Sequence, residues 1–319
     1  MHEFDLINKY LSKLSKKSKN SLNLNDDVFF DKNNKLVVSV DTYTEGNHFI
    51  NFKNPDLVIK KILRSSISDL ICKGVYPKYY FISASGNKKS FSKNNLKKIS
   101  SSLNQEQKKY SIYLSGGDTV FSKKLSFTIT TIGFSNKIIS RNRAKVNDDI
   151  YVTGNLGDSF IGLKILKKKL NLSKILNNYF QKKYFCPEIY TNISKKLLSL
   201  ANTSIDISDG LIADLEKLIN KQKLSYILYF KDIPVSKNLK KLINLKKIKK
   251  QTCISRGDDY QILFTASRSK SRIIAQSFKD LGIKVSKIGK ICPVSQKSQI
   301  IDEKNKNITL KNKGYFHSF

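Results

Sequence analysis

Residues 36–41 have the sequence Leu-Val-Val-Ser-Val-Asp, an apolar and β-branched run that ends at a carboxylate. Such a run predicts a short buried strand, with Asp41 at the point where the strand ends. Acidic motifs also follow strand-like runs at Asp118 and Asp206, and Asp258 comes directly before another. Strand-like and helix-like segments alternate along the chain, which indicates an α/β or mixed α+β fold. In such folds, ligands bind where loops meet one edge of the sheet.

A long helix is expected between two turn signals in the N-terminal half. Asn54 and Pro55 form an N-cap followed by proline at the first helical position, and Gly74 and Pro77 end the helix. Apolar residues recur at helical spacing between these signals. The remaining strands are predicted at 79–83, 112–114, 127–134, 149–152, 204–207, 225–230, 261–265 and 285–291. The remaining helices are predicted at 93–108, from 159, at 211–219 and at 272–281.

Carboxylates are scarce in this chain, which has 25 Asp and Glu against 59 Lys and Arg and a formal net charge of +34. Scarce carboxylates beside Gly, Ser and Thr favour a site for hard cations such as Mg²⁺, which in turn bind phosphates. Each motif alone is best explained as a cap or a turn, and their joint occurrence favours the metal site. Asp148, Asp149 and Asp158 are expected in turns or caps, and Asp214 is expected to face solvent.

Composition excludes several classes of protein. The 319 residues allow one large or two medium domains, and no apolar run approaches the ~18 residues of a membrane span. Residues 1–14 lack a secretory pattern, and the four scattered cysteines indicate reduced thiols in a cytoplasmic protein. The basic charge suggests nucleic-acid binding as an alternative. The lysines are spread along the chain without interleaved aromatics, so nucleic acid is not the expected partner.

Several short motifs follow one another in a fixed order. They are Asp26-Asp27, Ser39-Val40-Asp41, residues 45–49 (E-G-N-H-F), Ser68-Asp69-Leu70, Gly116-Gly117-Asp118-Thr119, Arg141, residues 206–211 (D-I-S-D-G-L), Gly257-Asp258-Asp259-Tyr260 and Gly314-Tyr315. In this order they resemble the thiamine-monophosphate kinase family, within the superfamily of aminoimidazole ribonucleotide synthetase and selenophosphate synthetase. The similarity extends from about Phe4 to Phe319.

The resemblance implies an activity and an architecture. The activity is ATP-dependent phosphorylation of thiamine monophosphate to thiamine diphosphate, by direct in-line transfer assisted by several Mg²⁺ ions and without a protein nucleophile. The architecture is a two-domain synthetase-like fold that works as a homodimer. Residues 1–140 form an N-terminal ATP- and Mg-binding domain whose sheets pair across the dimer. Residues 141–319 form a C-terminal α/β domain that completes the nucleotide and substrate site.

The resemblance also implies roles for individual residues. The implied metal-site residues are Asp27, Ser39, Asp41, Asp69, Asp118, Asp206 and Asp209. The implied nucleotide contacts are Gly117, Asp118, Arg141 and Ser208. The implied contacts to thiamine phosphate are His48, Asp258 and Tyr315.

Three positions depart from the family's pattern. Ser39-Val40-Asp41 stands where the family has a Thr-Thr-Asp-like segment, so a metal contact through the middle position would have to use the Val40 carbonyl. Asn25 stands where the family usually has glycine, and asparagine is expected to keep a left-handed turn there. Asp258 stands where the family has glutamate, one methylene longer. Another ATP-dependent synthetase of the superfamily is an alternative function. For selenophosphate synthesis, however, a reactive cysteine is expected in an N-terminal loop, whereas Cys72 lies in a predicted helix.

Overall fold

The computed structural model describes residues 3–315, with the side chains of residues 5–315, and contains two β-sheets. The strands of the first sheet are β1 (Phe29–Asp31), β2 (Leu36–Thr44), β3 (Pro77–Gly86), β4 (Tyr113–Phe121) and β5 (Ser126–Phe134). Those of the second are β6 (Asp149–Thr153), β7 (Thr203–Asp206), β8 (Leu224–Tyr229), β9 (Ile262–Ala266), β10 (Val285–Pro293) and β11 (Gln299–Ile301). The predicted C-terminal boundary at Phe319 lies outside the described residues.

Ten α-helices lie within residues 3–315. They are α1 (Glu3–Leu6), α2 (Pro55–Cys72), α3 (Lys93–Tyr110), α4 (Asp158–Leu166), α5 (Lys174–Phe185), α6 (Ser194–Leu200), α7 (Leu211–Leu218), α8 (Lys237–Asn244), α9 (Lys250–Ile254) and α10 (Ser271–Asp280). A π-helical turn at Ile7–Leu11 and short 3-10 turns complete the helical structure. Within the same residues, no helix combines the length and the apolar content that crossing a membrane requires.

Sheet order decides which strands are open to a partner. The first sheet has the order β1-β2-β5-β3-β4 and is antiparallel except between β3 and β4, so β4 is an edge strand. The second has the order β11-β8-β10-β6-β9-β7 and is antiparallel except between β11 and β8. Strand β7, which ends at Asp206, is therefore an edge strand of the second sheet.

Helix α2 lies between the two sheets and is the most buried helix of the chain. It begins as predicted, with Asn54 at the N-cap and Pro55 at the first helical position. Its apolar residues cover nearly the whole circumference, and a helix of that kind is stable only when it is buried. Ile62 of α2 belongs to one hydrophobic cluster with Phe127 of β5 and Phe264 of β9, so α2 joins both sheets.

The predicted α/β class is confirmed, and the predicted strands and helices overlap observed ones, although β4 continues seven residues beyond its predicted end at Leu114. Two predicted loops are wrong. Asp41 lies inside β2 and Asp118 lies inside β4, because both strands continue three residues beyond these carboxylates. Gly116 and Gly117 do not end β4. Their φ angles of 148° and 155° continue the strand in a conformation that a residue with a side chain rarely adopts.

Candidate active site

Three carboxylates from three different elements form the centre of the site. They are Asp41 of β2, Asp69 of α2 and Asp206 at the end of β7. Asp69 accepts a hydrogen bond of 2.5 Å from the Ser39 hydroxyl. Asp41 accepts one of 3.3 Å from Tyr43, whose hydroxyl also lies 2.9 Å from that of Ser66. Predicted metal-site residues from both halves of the chain are therefore brought together.

The electrostatics of these three carboxylates indicate missing positive charge. Burial raises the pKa of Asp41, and burial together with repulsion from Asp41 and Asp206 raises the pKa of Asp69 well above its ordinary value. Burial and the charge of Asp214 raise the pKa of Asp206 to about 6. Among the described residues, none of the three takes part in an ion pair. A cation bound here would compensate their charge.

The three groups do not by themselves form a closed metal cage. Within residues 3–315, no three acidic, histidine or cysteine side chains converge closely enough to hold a metal ion. The donor chemistry nevertheless suits Mg²⁺, because carboxylate and hydroxyl oxygens are hard ligands. Since Mg²⁺ keeps several waters and shares its remaining positions with substrate phosphates, a partial set of protein ligands is sufficient.

Asp26 and Asp27 lie beside this centre but are paired with basic side chains. The buried Lys73 Nζ lies 2.7 Å from Asp26 Oδ1 and 2.7 Å from Asp27 Oδ2. Arg141 forms an ion pair with Asp27, and its backbone N–H donates to Asp26 at 2.9 Å. Burial alone would lower the pKa of Lys73, but Asp26 and other neighbouring groups raise it. In this structure Arg141, a predicted nucleotide contact, thus binds Asp27.

The loop before α7 holds a second group of charges. Lys217 forms an ion pair with Asp209 and lies 3.2 Å from Asp214 Oδ1. The prediction that Asp214 faces solvent is wrong. Its carboxylate is fully buried and accepts the backbone N–H groups of Asp209 (2.9 Å) and Gly210 (3.0 Å). Asp214 therefore fixes the shape of the loop that presents Ser208 and Asp209.

The loop that contains Asp258 packs directly on this second loop. The Asp258 N–H donates to the Ser208 carbonyl at 2.8 Å. A Cβ on Gly257 would lie 1.7 Å from that carbonyl oxygen, so no side chain fits there. Asp258 itself has φ of 66°, and the buried Asp259 accepts the Gly157 N–H at 2.8 Å. Ser208 and Asp258, which the sequence predicted separately, are thus held together by backbone contacts.

His48 and Asp258 are connected through two side chains that the sequence analysis missed. The Tyr184 hydroxyl donates to the His48 carbonyl at 3.2 Å. Lys61 Nζ lies 4.0 Å from the Tyr184 ring centroid and 2.6 Å from Asp258 Oδ1. The His48 ring accepts the Thr44 N–H at 3.0 Å through Nδ1. Two predicted substrate contacts are therefore linked through one lysine of α2 and one tyrosine of α5.

The C-terminal Gly-Tyr pair lies against the loop before α7. The Tyr315 N–H donates to the Asp209 carbonyl at 3.0 Å, and the Ala213 N–H donates to the Lys313 carbonyl at 3.0 Å. A Cβ on Gly314 would lie 2.3 Å from the Cβ of Ala213, so glycine permits this close approach. Tyr315 is 44% exposed at this position.

Asp118 is separated from the other carboxylates. It is in register with Ser83 of β3, which faces Thr128 of β5, which in turn faces Thr42 of β2. Asp118 and Asp41 are therefore about three strand spacings apart, roughly 14 Å across the sheet. One chain does not bring Asp118 into contact with the centre. Gly117 precedes it, and a Cβ there would lie 1.9 Å from the Ile82 carbonyl oxygen.

Three further carboxylates were predicted to lie in turns or caps, and Asn25 was predicted to form a left-handed turn. Asp148 accepts the Lys145 N–H in a turn, as predicted, whereas Asp149 lies in β6 and pairs with Lys287 at 2.8 Å. The prediction for Asp158 is wrong: it is the first residue of α4, but its buried carboxylate accepts the Tyr179 and Ser236 hydroxyls instead of capping the helix. The left-handed turn expected at Asn25 is also wrong, since its φ is −120°. The left-handed residues are the three before it, residues 22–24.

Three buried or nearly buried lysines of the site, Lys61, Lys73 and Lys217, were missed by the sequence analysis. The sequence did contain a signal for two of these lysines. Lys61 and Lys73 are charged positions at the predicted apolar helix, and Lys73 follows Asp69 by four residues. A charged residue in a helix that is buried on all sides needs a partner of opposite charge.

The chain is similar to known proteins in both sequence and fold. Residues 25–135 match the family model "AIR synthase related protein, N-terminal domain". The chain is 34% identical to the thiamine-monophosphate kinase of Buchnera aphidicola subsp. Acyrthosiphon pisum (strain APS), over 99% of this chain and 98% of that protein. It is 28% identical to the thiamine-monophosphate kinase of Bacillus subtilis (strain 168), over 99% of both chains.

A solved structure described as "AaThiL complexed with AMPPCP and TMP" is similar in fold. Its TM-score is 0.84 at 24% identity, and the match covers 99% of this chain and 97% of that chain. This likeness shows that the two-sheet architecture is shared over nearly the whole length.

Proposed function

The chain belongs to the thiamine-monophosphate kinase family, and we propose that Asp41, Asp69 and Asp206 hold the Mg²⁺ ions of its reaction. The activity is the ATP-dependent phosphorylation of thiamine monophosphate to thiamine diphosphate. The observation that supports the metal assignment is the group of three carboxylates without an ion pair in the described chain. Burial raises the pKa of all three, and repulsion from neighbouring carboxylates raises the pKa of Asp69 and Asp206 further.

Phosphoryl transfer depends on the positioning of phosphates and on charge compensation more than on covalent chemistry. Bound Mg²⁺ would supply that compensation and align the phosphates of ATP. The chain's own residues bind and orient the reacting groups. Asp41 and Asp69 are fixed by hydroxyls of Tyr43 and Ser39, and a phosphate oxygen of thiamine monophosphate is the nucleophile, so no protein nucleophile is needed.

The resemblance assigns further residues to the metal and nucleotide sites, and these remain proposals. Ser39 touches Asp69 and so belongs to the centre. Asp209, at present paired with Lys217, is next to Ser208 on the loop before α7. Gly117 and Ser208 are proposed to approach the nucleotide through their backbones, because glycine at position 117 leaves the strand free of a side chain. Arg141 is proposed to contact phosphate from its position beside Asp27.

We propose a homodimer that forms through the first sheet and supplies Asp118 to the site. All nine residues of the edge strand β4 are exposed, including Val120 (51%) and Phe121 (78%). An exposed, apolar edge strand is a template for pairing with a second chain. Because Asp118 lies on this strand, pairing would place the Asp118 of each protomer at the interface.

We further propose that residues 1–140 and 141–319 act as two domains, each containing one sheet.

We propose that thiamine monophosphate binds beside Asp258, His48 and Tyr315. Asp258 lines a cleft together with Asp158, Ser159, Asp259 and Glu188, and also with Lys183, which pairs with Glu188. Carboxylates outnumber the lysine in this lining, which suits the positively charged thiazolium ring. The buried Ser159 hydroxyl has no hydrogen-bond partner within the described chain, so a ligand could satisfy it. The exposed ring of Tyr315 is proposed to stack on a heterocycle of the substrate.

Gly257→Ala is expected to weaken substrate binding. The new Cβ would lie 1.7 Å from the Ser208 carbonyl oxygen, so the two loops must separate, at a cost of about 1–3 kcal/mol for overpacking. We expect a lower melting temperature and a raised KM for thiamine monophosphate, measured by thermal unfolding and initial rates. Gly282→Ala is the control for lost stability alone: its positive φ strains an alanine, but the open space around it leaves the two loops in contact, so KM is expected to stay unchanged. An unchanged KM in Gly257→Ala would contradict the proposed substrate position.

Isotope tracing tests the proposed direct transfer. With γ-³²P-labelled ATP, Mg²⁺ and thiamine monophosphate, the label is expected in thiamine diphosphate, and no labelled protein is expected after rapid acid quenching. A labelled protein that passes its phosphate to thiamine monophosphate would contradict direct transfer. Chemistry through a reactive cysteine has no support at Cys72, because this thiol is fully buried and burial raises its pKa well above the ordinary value.

We propose that the enzyme is cytoplasmic, because the four cysteines of the described chain are free and disulfides are rare in that compartment.

A further inference from the structure

The buried Lys73 occupies an unusual position at the junction of three parts of the chain. It is the residue that follows the last turn of α2, and its side chain has no exposed surface. Its ammonium lies 2.7 Å from Asp26 and 2.7 Å from Asp27, both in the N-terminal segment. It also donates to the Ser204 carbonyl of β7 at 2.9 Å. One ammonium group thus connects the N-terminal segment, α2 and the second sheet.

The three donors of the ammonium match these three acceptors in number. A lysine ammonium has three N–H groups, and burying it without partners would be costly. Asp26, Asp27 and the Ser204 carbonyl provide three oxygens at 2.7–2.9 Å. These are the kinds of ligand, two carboxylates and one carbonyl, that a hard divalent cation would select. The ammonium therefore occupies a position that has the ligands of a cation site.

The balance of charge distinguishes the Lys73 position from the proposed metal centre. The carboxylates of Asp26 and Asp27 carry two negative charges, and Lys73 with Arg141 supplies two positive charges. No further cation is needed there. Asp41, Asp69 and Asp206 have no ion pair in the described chain, and Lys73 acts on Asp69 and Asp206 only from beyond ion-pair distance. The side of Lys73 that still lacks positive charge is therefore the side of these three carboxylates.

We propose that Lys73 is a built-in cation that takes the place of a metal ion at Asp26 and Asp27. Divalent ions then bind on the side of Asp41, Asp69 and Asp206, and Asp27 positions Lys73 and Arg141 instead of ligating metal. This inference rests on the proposed Mg²⁺ centre and corrects the role that the resemblance gives to Asp27.

Counting bound ions in the folded protein tests the proposal without relying on activity. We would titrate the protein with Mn²⁺ in place of Mg²⁺, in the presence of AMPPCP, and measure free Mn²⁺ by electron paramagnetic resonance. Asp27→Asn is expected to bind as many Mn²⁺ ions as the wild type. Asp69→Asn is expected to lose at least one ion. The net charge of +34 keeps non-specific binding of cations low.

The two variants separate two kinds of failure. Loss of a Mn²⁺ ion in Asp27→Asn would overturn the role of Lys73 while leaving the metal centre in place. Retention of every ion in Asp69→Asn would overturn the metal centre itself.

Replacing the ammonium gives the complementary result. Lys73→Met is expected to unfold at a lower temperature without metal, because Asp26 and Asp27 lose a cation, and to gain several degrees when saturating Mg²⁺ is added. Lys73→Arg keeps the charge and is expected to show the smaller Mg²⁺ effect of the wild type. The matched control is Lys61→Met, another buried lysine of α2, which pairs with Asp258 instead. An equal response to Mg²⁺ in Lys73→Met and Lys61→Met would overturn the proposal. Should Lys73→Met not fold, the Asp27→Asn count still decides it.

Discussion

Asp69→Asn is expected to lower kcat by about 10²-fold or more, because it removes one carboxylate that compensates phosphate charge through the metal. The fold is expected to survive. Burial and repulsion from Asp41 and Asp206 already raise the pKa of Asp69 well above its ordinary value, so its charge destabilises the folded state. An uncharged side chain of the same shape relieves that repulsion. We therefore expect a melting temperature that is unchanged or higher, together with a loss of turnover.

Thiamine diphosphate formation at saturating Mg²⁺ and thermal unfolding measure the two effects. The matched control is Asp56→Asn, which removes the other carboxylate of α2, from its first turn and away from Asp41 and Asp206. Near-normal turnover of Asp69→Asn at saturating Mg²⁺ would refute the metal assignment. A large fall in melting temperature would instead mean that Asp69 has a structural role that the contacts do not show.

Val120→Lys is expected to convert the proposed dimer into monomers and to lower kcat strongly. Position 120 is two residues beyond Asp118, so both side chains lie on the same face of the edge strand β4. A lysine on an edge strand opposes pairing with a second chain, since pairing would bury its charge. If pairing places Asp118 in a working site, the monomer loses a contact whose absence costs about 10²-fold.

Sedimentation and specific activity as a function of protein concentration measure this effect. The matched control is Ile273→Lys, which introduces the same charge at an exposed apolar position on α10, away from the first sheet. A Val120→Lys monomer that keeps full activity would contradict the dimeric site.

Local signals in the sequence predicted most of the fold. Helix α2 was found because its ends are decided by neighbouring residues, Asn54 and Pro55 at one end and Gly74 at the other. Strand ends at Asp41 and Asp118 were placed too early. A carboxylate or a pair of glycines within a strand looks like a turn unless the pairing with β5 or β3 is known. That pairing is long-range, so no local pattern contains it.

The carboxylates of the site were predictable, and their partners were not. Asp41, Asp69 and Asp206 came from their motifs, and the structure brings them together. Lys73 lies 131 residues from Ser204, and its position between Asp26 and Asp27 depends on how α2 docks against β7. The burial of Asp214 depends likewise on the loop before α7, whose Asp209 and Gly210 N–H groups donate to this carboxylate of the same helix. Side-chain pairs of this kind are decided by tertiary packing.

The most direct test of the account is the formation of thiamine diphosphate by the purified protein, with the product detected by chromatography. We predict product only when ATP, Mg²⁺ and thiamine monophosphate are all present, and none when any one of them is omitted. Product formed at an unchanged rate after Mg²⁺ is removed with a chelator would contradict the metal centre. No product with all three components, despite binding of ATP in the presence of Mg²⁺, would contradict the assignment of thiamine monophosphate as the phosphate acceptor.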